Sequence, residues 1–269
     1  MVRVVISGAC GKMGREIVSV FSSDREIRIV GAIERPDIRQ IGMDAGSVAG
    51  LESIGVSISS DLEEVISKGD VIVDFTNCAA SLRTIEAAAT HGKPVVLGTT
   101  GFSREQLETI KEYSKTIPIL MSPNMSQGVN ILFHLIKRAA QLFGKEYDVE
   151  ICEIHHNLKK DAPSGTALRF GNLISEARGK KIEDIGVFGR KGVIGKRSDE
   201  EIGIMALRLG DTVGDHTVIF GGPGERVEFT HRCSSRKNYA AGALKAAKFL
   251  VEKKNGFFGM EDVLGIGAL

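Results

Sequence analysis

The sequence predicts an α/β protein, a Rossmann-like doubly wound parallel sheet joined to an α+β domain whose sheet is largely antiparallel or mixed. Three observations carry this. Short β-branched runs alternate with amphipathic helical stretches through residues 2–121, turns rich in glycine separate them, and strand-like segments follow one another closely near residues 202–231. Alternation implies parallel pairing, because each parallel pair needs a crossover connection, whereas successive strands joined by short turns pair antiparallel.

Val2–Ser7 is a β-branched run ended by Gly8, after which Met13, Ile17, Val20 and Phe21 recur at helical spacing. Ile27–Ile33 reads as the second strand, and Ser60 or Asp61 can cap a short helix through Ile66. Asp70–Phe75 is a strand, Ser81–Thr90 a helix and Pro94–Leu97 a strand. Ser103 and Gln106 form a capping box for a helix to about Lys115, and Pro118–Met121 is the next strand. A helix over residues 130–143 leads to Tyr147–Cys152, which alternates along its length, and then to strands at Ile202–Leu209, His216–Phe220 and Arg226–His231, the last two joined through Gly221–Gly224. A helical pattern returns at Tyr239–Lys253 and is expected to pack on the first domain. The predicted boundaries are 1–127 with 238–269 for the first domain and 128–237 for the second.

The 269 residues are long for one core, and 42% are apolar. Lys and Arg number 35 against 34 acidic residues, so the net charge of +1 offers nothing to a polyanion and no nucleic-acid partner is expected. No run of about 18 apolar residues suggests a membrane span, and Met1 leads into a strand with no basic-then-apolar leader. Cys10, Cys78, Cys152 and Cys233 lie far apart without a C-x-x-C pair, which argues against a zinc site or disulfides. They are read as buried thiols in a cytoplasmic protein.

Gly8-Ala9-Cys10-Gly11-Lys12-Met13-Gly14 sits between a predicted strand and a predicted helix, and Glu34 closes the next strand twenty residues beyond Gly14. Glycines let the backbone approach a pyrophosphate, and the free amides and dipole of a helix start attract its charge. A carboxylate at Glu34 can accept hydrogen bonds from an adenosine ribose, while Arg35 can stack on adenine or meet a 2′-phosphate, so NADH and NADPH are both candidate cofactors. Gly98-Thr99-Thr100-Gly101 and Ser122-Pro123-Asn124-Met125 end two further strands at the edge where ligands bind open α/β sheets, and their backbones are candidate nicotinamide contacts.

The second domain carries Glu153-Ile-His-His-Asn-Leu-Lys-Lys-Asp-Ala-Pro-Ser-Gly-Thr-Ala167. His155, His156, Lys159 and Lys160 are crowded beside a helix start that Asp161 or Ser164 can cap, with Ala167, Phe170, Ile174 and Ala177 on one face. Mutual repulsion among these groups makes sense if a small, multiply negative substrate fills the gap, and it would make them better proton donors. A metal is not expected, because adjacent strand histidines point oppositely and no third ligand follows.

The stretch E-x-H-H-x-x-K-x-D-A-P-S-G-T-A resembles the signature of the 4-hydroxy-tetrahydrodipicolinate reductase family, also called dihydrodipicolinate reductase, of lysine and diaminopimelate biosynthesis. The glycine loop, Glu34-Arg35, Gly98-Thr-Thr-Gly101 and Pro123-Asn124 match it too, over nearly the whole chain. The resemblance implies His155 as acid/base, Lys159 as proton donor, and His156, Gly165 and Thr166 as holders of substrate carboxylates. It implies cofactor contacts from Gly8, Ala9, Cys10, Gly11, Lys12, Met13, Glu34, Arg35, Gly98, Thr99, Thr100, Ser122, Pro123, Asn124 and Met125. It further implies a cyclic dicarboxylate substrate and a homotetramer joined through second-domain sheets. One departure is Gln127, where an apolar residue is expected before Gly128. The alternatives are a reductase of another small acid or semialdehyde, and a non-catalytic nucleotide-sensing protein.

Overall fold

Nearly continuous apolar runs such as Val71–Val73 and Val95–Leu97 cannot alternate between core and water, so they form strands covered on both faces. The computed structural model describes residues 1–266. They divide into two units, residues 1–127 with the segment from Arg236 onward, and Gly128–Ser235.

In the first unit the order is β1 (Val2–Ser7), α1 (Lys12–Ser22), β2 (Ile27–Ile33), α2 (Ala45–Val48), β3 (Ile58–Ser59), α3 (Glu63–Ile66), β4 (Val71–Asp74), α4 (Cys78–Thr90), β5 (Val95–Leu97), α5 (Arg104–Ser114) and β6 (Pro118–Met121). The helix α6 (Gln127–Phe143) leads out of this unit. The second unit holds β7 (Asp148–His155), α7 (Gly165–Ala177), α8 (Ile182–Ile185), β8 (Gly186–Val187), β9 (Ile202–Arg208), β10 (Gly214–Gly222) and β11 (Glu225–Cys233). The chain then returns with α9 (Lys237–Leu250), β12 (Gly256–Phe258) and α10 (Met260–Leu264).

The first sheet is parallel throughout, in the order β12-β6-β5-β4-β1-β2-β3. The direction of winding reverses between β1 and β4, and the carboxyl ends of strands at such a reversal are where open α/β sheets bind ligands. On one face α1 buries Gly14, Ile17, Val18 and Phe21, and α9 buries a row of small residues including Ala240, Gly242, Ala243, Ala246 and Ala247. Gly242 is needed for that approach, since a Cβ there would run into the Met125 carbonyl. The other face is packed by Val65, Ile66, Ile85, Ala88 and Ile110.

Several readings shift against the sequence: the helix expected from residue 130 starts at Gln127, and the strand expected to end at Cys152 runs on to His155. The helix expected from Ser81 starts at Cys78, because the Asn77 side chain caps it by accepting from the Ala80 amide at 3.1 Å. Asp61 accepts from the Glu63 amide at 2.9 Å, but the N-cap position of α3 falls to Leu62, which gives no side-chain bond. The last helix stops at Leu250, and the chain then adds β12 in parallel to β6.

The second sheet has the order β11-β10-β7-β9-β8. The two pairs on the β11 side are antiparallel and the two on the β8 side parallel, because the connection from β7 to β9 carries α7 as a crossover. Val149, Ile151, Val218 and Phe220 bury one face among Leu132, Ile136, Phe170 and Ile174. Alternation places Cys152, Ile154, Met205, Leu207, Thr217 and Ile219 on the opposite face, where Leu207 is 44% exposed. Of the cysteines only Cys233 is buried, contrary to expectation. Cys10 sits in the glycine loop, Cys78 opens α4 and Cys152 lies on that second sheet face.

Candidate active site

The glycine loop follows β1 directly. Gly8 has φ +85°, a conformation costly for any side chain, and a Cβ there would meet Phe75 O and Thr76 at 2.7 and 2.9 Å. Gly11 is the N-cap of α1 with extended backbone; no side chain caps the helix, no acid stands in its first turn, and a Cβ on Gly11 would have no neighbour nearer than 3.4 Å. An uncapped helix start with an open glycine at its tip suits a phosphate. Glu34 lies past the end of β2, and its carboxylate accepts from the Cys10 amide at 3.2 Å and the Arg35 amide at 3.1 Å. The structure therefore brings the acid to the loop. Arg35 is exposed and its pairing with Asp37 at 3.3 Å is a surface contact of little strength. Lys12 is exposed, Met13 half-buried and Ala9 buried.

The two other segments lie at the same edge of the sheet. The Gly98 backbone packs tightly on the Phe75 ring. Thr99 is buried and its hydroxyl is consumed internally, donating to Asp74 Oδ1 at 3.2 Å and accepting from the Thr76 amide at 3.0 Å; Thr100 is exposed. Asp74, fully buried, is a hub the sequence did not reveal. Its Oδ1 also accepts from the Ser81 and Thr76 hydroxyls at 2.6 and 2.8 Å, fixing the loops after β4 and β5 together. Ser122 donates to the Asn124 carbonyl at 2.8 Å, Met125 is buried and Pro123 is exposed. Gln127 accepts from Lys245 of α9 at 2.6 Å, which gives this polar residue a partner where an apolar one was expected.

In the second unit β7 carries Glu153 and His155 on one face, and the loop beyond it carries His156 and Lys159. Among the crowded basic groups, His155 and Lys159 each have an acidic partner. His155 Nδ1 pairs with Glu153 Oε2, and Lys159 donates to both oxygens of Asp161 at 2.8 Å. Arg208, opposite His155 on β9, donates to Glu153 at 3.1 Å and to the Asp161 carbonyl at 2.6 Å. Burial pushes the Glu153 carboxyl up, but the hydrogen bonds and charges of His155 and Arg208 outweigh it and hold the group below the usual range. The bond to Lys159 likewise lowers Asp161.

Ser164, not Asp161, is the N-cap of α7. Its hydroxyl accepts from the Ala167 amide at 3.2 Å, and its own amide donates to Glu153 Oε1 at 3.1 Å. Gly165, the first helical residue, is exposed with open space where a side chain would stand, Thr166 is half-buried, and the first turn holds no acid. His156 is half-buried and Lys160 exposed.

His216, missed from sequence, lies 3.0 Å from the Ser164 hydroxyl and edge-on to His155 at 5.1 Å between ring centroids. Burial first, then the positive neighbours, push its imidazole down from 6.5 to about 3. It stays neutral in the folded protein and takes up a proton near pH 6.5 only when unfolded, so between about pH 6.5 and 3 the unfolded chain binds more protons. Stability should therefore fall with pH across that window, by up to about 1.4 kcal/mol per pH unit from this residue. Urea midpoints of wild type and His216→Asn at pH 7, 6 and 5 will show a shallower acid slope in the variant; equal slopes would assign the loss elsewhere.

Family models match both parts of the chain, "Dihydrodipicolinate reductase, N-terminus" over residues 2–125 and "Dihydrodipicolinate reductase, C-terminus" over residues 128–264. The chain belongs to the dihydrodipicolinate reductase family. A relative from Syntrophus aciditrophicus named 4-hydroxy-tetrahydrodipicolinate reductase is 47% identical over 265 residues, covering 98% of this chain and 99% of its own. One of the same name from Citrifermentans bemidjiense is 44% identical over 266 residues, covering 99% and 100%. Among solved structures, a dipicolinate-bound dihydrodipicolinate reductase from Paenisporosarcina sp. TG-14 matches with TM-score 0.75 and 27% identity, over 97% of this chain and 99% of that one. A probable dehydrogenase from Thermotoga maritima, at TM-score 0.61 and 11% identity over 98% of this chain and 93% of that one, shares the fold alone. Among the described residues of this family member, no helix is long and apolar enough to cross a membrane.

Proposed function

We propose that this chain reduces 4-hydroxy-tetrahydrodipicolinate to tetrahydrodipicolinate in lysine and diaminopimelate biosynthesis, using NADH or NADPH. One observation carries the reading: His155 is tied through Glu153 to the Ser164 amide at the open start of α7, and Lys159 pairs with Asp161 three residues before that N-cap, in a chain that the family models match over residues 2–125 and 128–264. That pairing of proton-bearing groups with an anion seat is what a ring compound bearing two carboxylates requires. The balanced change is loss of the 4-hydroxyl as water, then addition of one hydride and one proton.

The first unit is the dinucleotide-binding domain. Gly8 to Met13 would hold the pyrophosphate, Glu34 and Arg35 the adenosine ribose, and the backbones of Gly98–Thr100 and Ser122–Met125 the nicotinamide. Reduced nicotinamide, when bound, supplies the hydride that adds at C4 of the substrate. In the second unit His156, Gly165 and Thr166 would bind the carboxylates, which also compete with Asp161 for Lys159. His155 and Lys159 provide the proton that goes to the carbon next to C4 once the hydride has added. The apolar sheet face formed by Cys152, Ile154, Met205, Leu207 and Ile219 supports assembly into a homotetramer. Four free cysteines support a reducing, cytoplasmic setting.

The test is turnover. Freshly condensed pyruvate and aspartate semialdehyde supply the substrate, and nicotinamide oxidation is followed with each cofactor. Oxidation dependent on the condensed product is expected; a protein that binds NADH without oxidising it would be a nucleotide sensor instead. Arg35→Ala should raise the KM for NADPH about tenfold, equivalent to ~1.4 kcal/mol, and that for NADH far less. Equal changes would argue against a phosphate contact.

A further inference from the structure

Glu153 is fully buried, and every hydrogen bond its carboxylate makes runs to a neighbour of the candidate active site. Oε1 accepts the Ser164 amide at 3.1 Å, at the N-cap of the helix that would seat a carboxylate. Oε2 pairs with His155 Nδ1, and Arg208 bridges both oxygens at 3.1 Å while reaching the Asp161 carbonyl at 2.6 Å. A carboxylate held ionised by Arg208 is an acceptor only, so the ring nitrogen facing it must carry hydrogen.

We propose that Glu153 is a positioning residue that holds the proton on His155 Nδ1 and thereby makes Nε2 the nitrogen that exchanges a proton during the reaction. The proposal rests on reading His155 as the acid/base. In each cycle Nε2 gives up its proton and regains one from water, while Nδ1 keeps its own beside the carboxylate, so the ring alternates between imidazolium and neutral imidazole. Room for the ring comes from Gly214, where a Cβ would stand 2.9 Å from Nε2.

Glu153→Gln reverses this arrangement without changing shape. An amide offers one oxygen; the Ser164 amide and both terminal nitrogens of Arg208 converge on the Oε1 side, against one Arg208 nitrogen beside His155 on the Oε2 side, so the oxygen keeps the Oε1 place. The amide nitrogen then faces His155, whose Nδ1 must accept, so the ring's single proton moves to Nε2. Losing that proton would leave an imidazolate, and the cycle stops.

Long-range proton–nitrogen correlation spectra of histidine-labelled protein, recorded where the ring carries one proton, read the two nitrogens directly. Wild type should show protonated Nδ1 and bare Nε2 at His155, and Glu153→Gln the reverse. In that variant kcat should fall about 10²- to 10⁴-fold, matching His155→Ala, with little change in substrate KM. Glu153→Asp, which keeps the carboxylate, should recover part of the rate. An unchanged cofactor Kd by nicotinamide fluorescence checks folding, and if Glu153→Gln does not fold the wild-type spectrum decides alone. Protonated Nε2 in wild type, or the same tautomer in both proteins beside an inactive His155→Ala, overturns the positioning role. Full activity of His155→Ala overturns the acid/base reading and the catalytic part of the proposal with it.

Discussion

His155→Ala is expected to lower kcat about 10²- to 10⁴-fold, the usual worth of a positioned proton-transfer group. The ring is only 12% exposed and is fixed by Glu153, so water cannot readily take its place with the same aim. Lys159→Ala should behave differently. Its ammonium sits at 2.8 Å from Asp161 and in the proposed reaction would exchange that partner for a substrate carboxylate, so its loss should raise KM as well as lower kcat. Both residues lie in the second unit, so the Kd for NADH or NADPH should not move in either variant. Steady-state rates and fluorescence titration together check this. Normal turnover in both variants would remove the assigned roles.

Two alanines in the glycine loop should separate folding from binding. A Cβ on Gly14 would enter the van der Waals shell of Gly8 O and lie 2.8 Å from Ala9 C and Cα, all backbone atoms that cannot rotate aside. Gly14→Ala should therefore cost about 1–3 kcal/mol in stability, and the displaced loop should weaken cofactor binding roughly 10–100-fold. Gly11 has φ −65° and ψ 166°, which alanine tolerates, and only Gly8 O at 3.4 Å nearby. At this position the entropy gained by removing a glycine offsets alanine's poorer N-capping, leaving stability within about 1 kcal/mol. The new methyl would nonetheless occupy the proposed phosphate seat. Urea unfolding beside nicotinamide fluorescence should show both properties damaged in Gly14→Ala and binding alone in Gly11→Ala. Unimpaired binding in Gly11→Ala would move the phosphate elsewhere.

Elements whose signals are local were legible in the sequence. β2 runs from Ile27 to Ile33 as its β-branched pattern indicates, and α5 opens on the Ser103–Gln106 capping box, with the Ser103 amide donating to Gln106 at 2.9 Å. β3, β8 and β12, at two or three residues each, exist only through their pairing with distant strands and have no periodicity of their own. The site divides in the same way. Glycine spacing and the His-His-x-x-Lys run could be read directly, and Glu153 stands two residues from His155 on the same strand face, a signal that was available. Arg208 and His216 reach that face only through registers across β9 and β10, and Asp74 meets Thr99 only because β4 and β5 are neighbours. Such partners need the folded sheet to become visible.

The return of the chain to its first unit sets an order of events during synthesis. Residues 128–235 are continuous and can close their own core while the ribosome is still at work. The amino-terminal lobe cannot. Ala240, Ala243, Ala246, Ala247, Leu250 and Met260 belong to its interior, and β6 has no outer neighbour until Gly256–Phe258 emerges. The unit that residues 1–127 begin is thus completed after the one that follows it in the chain, and a nascent chain stopped before Gly256 would carry an unsealed sheet edge at β6.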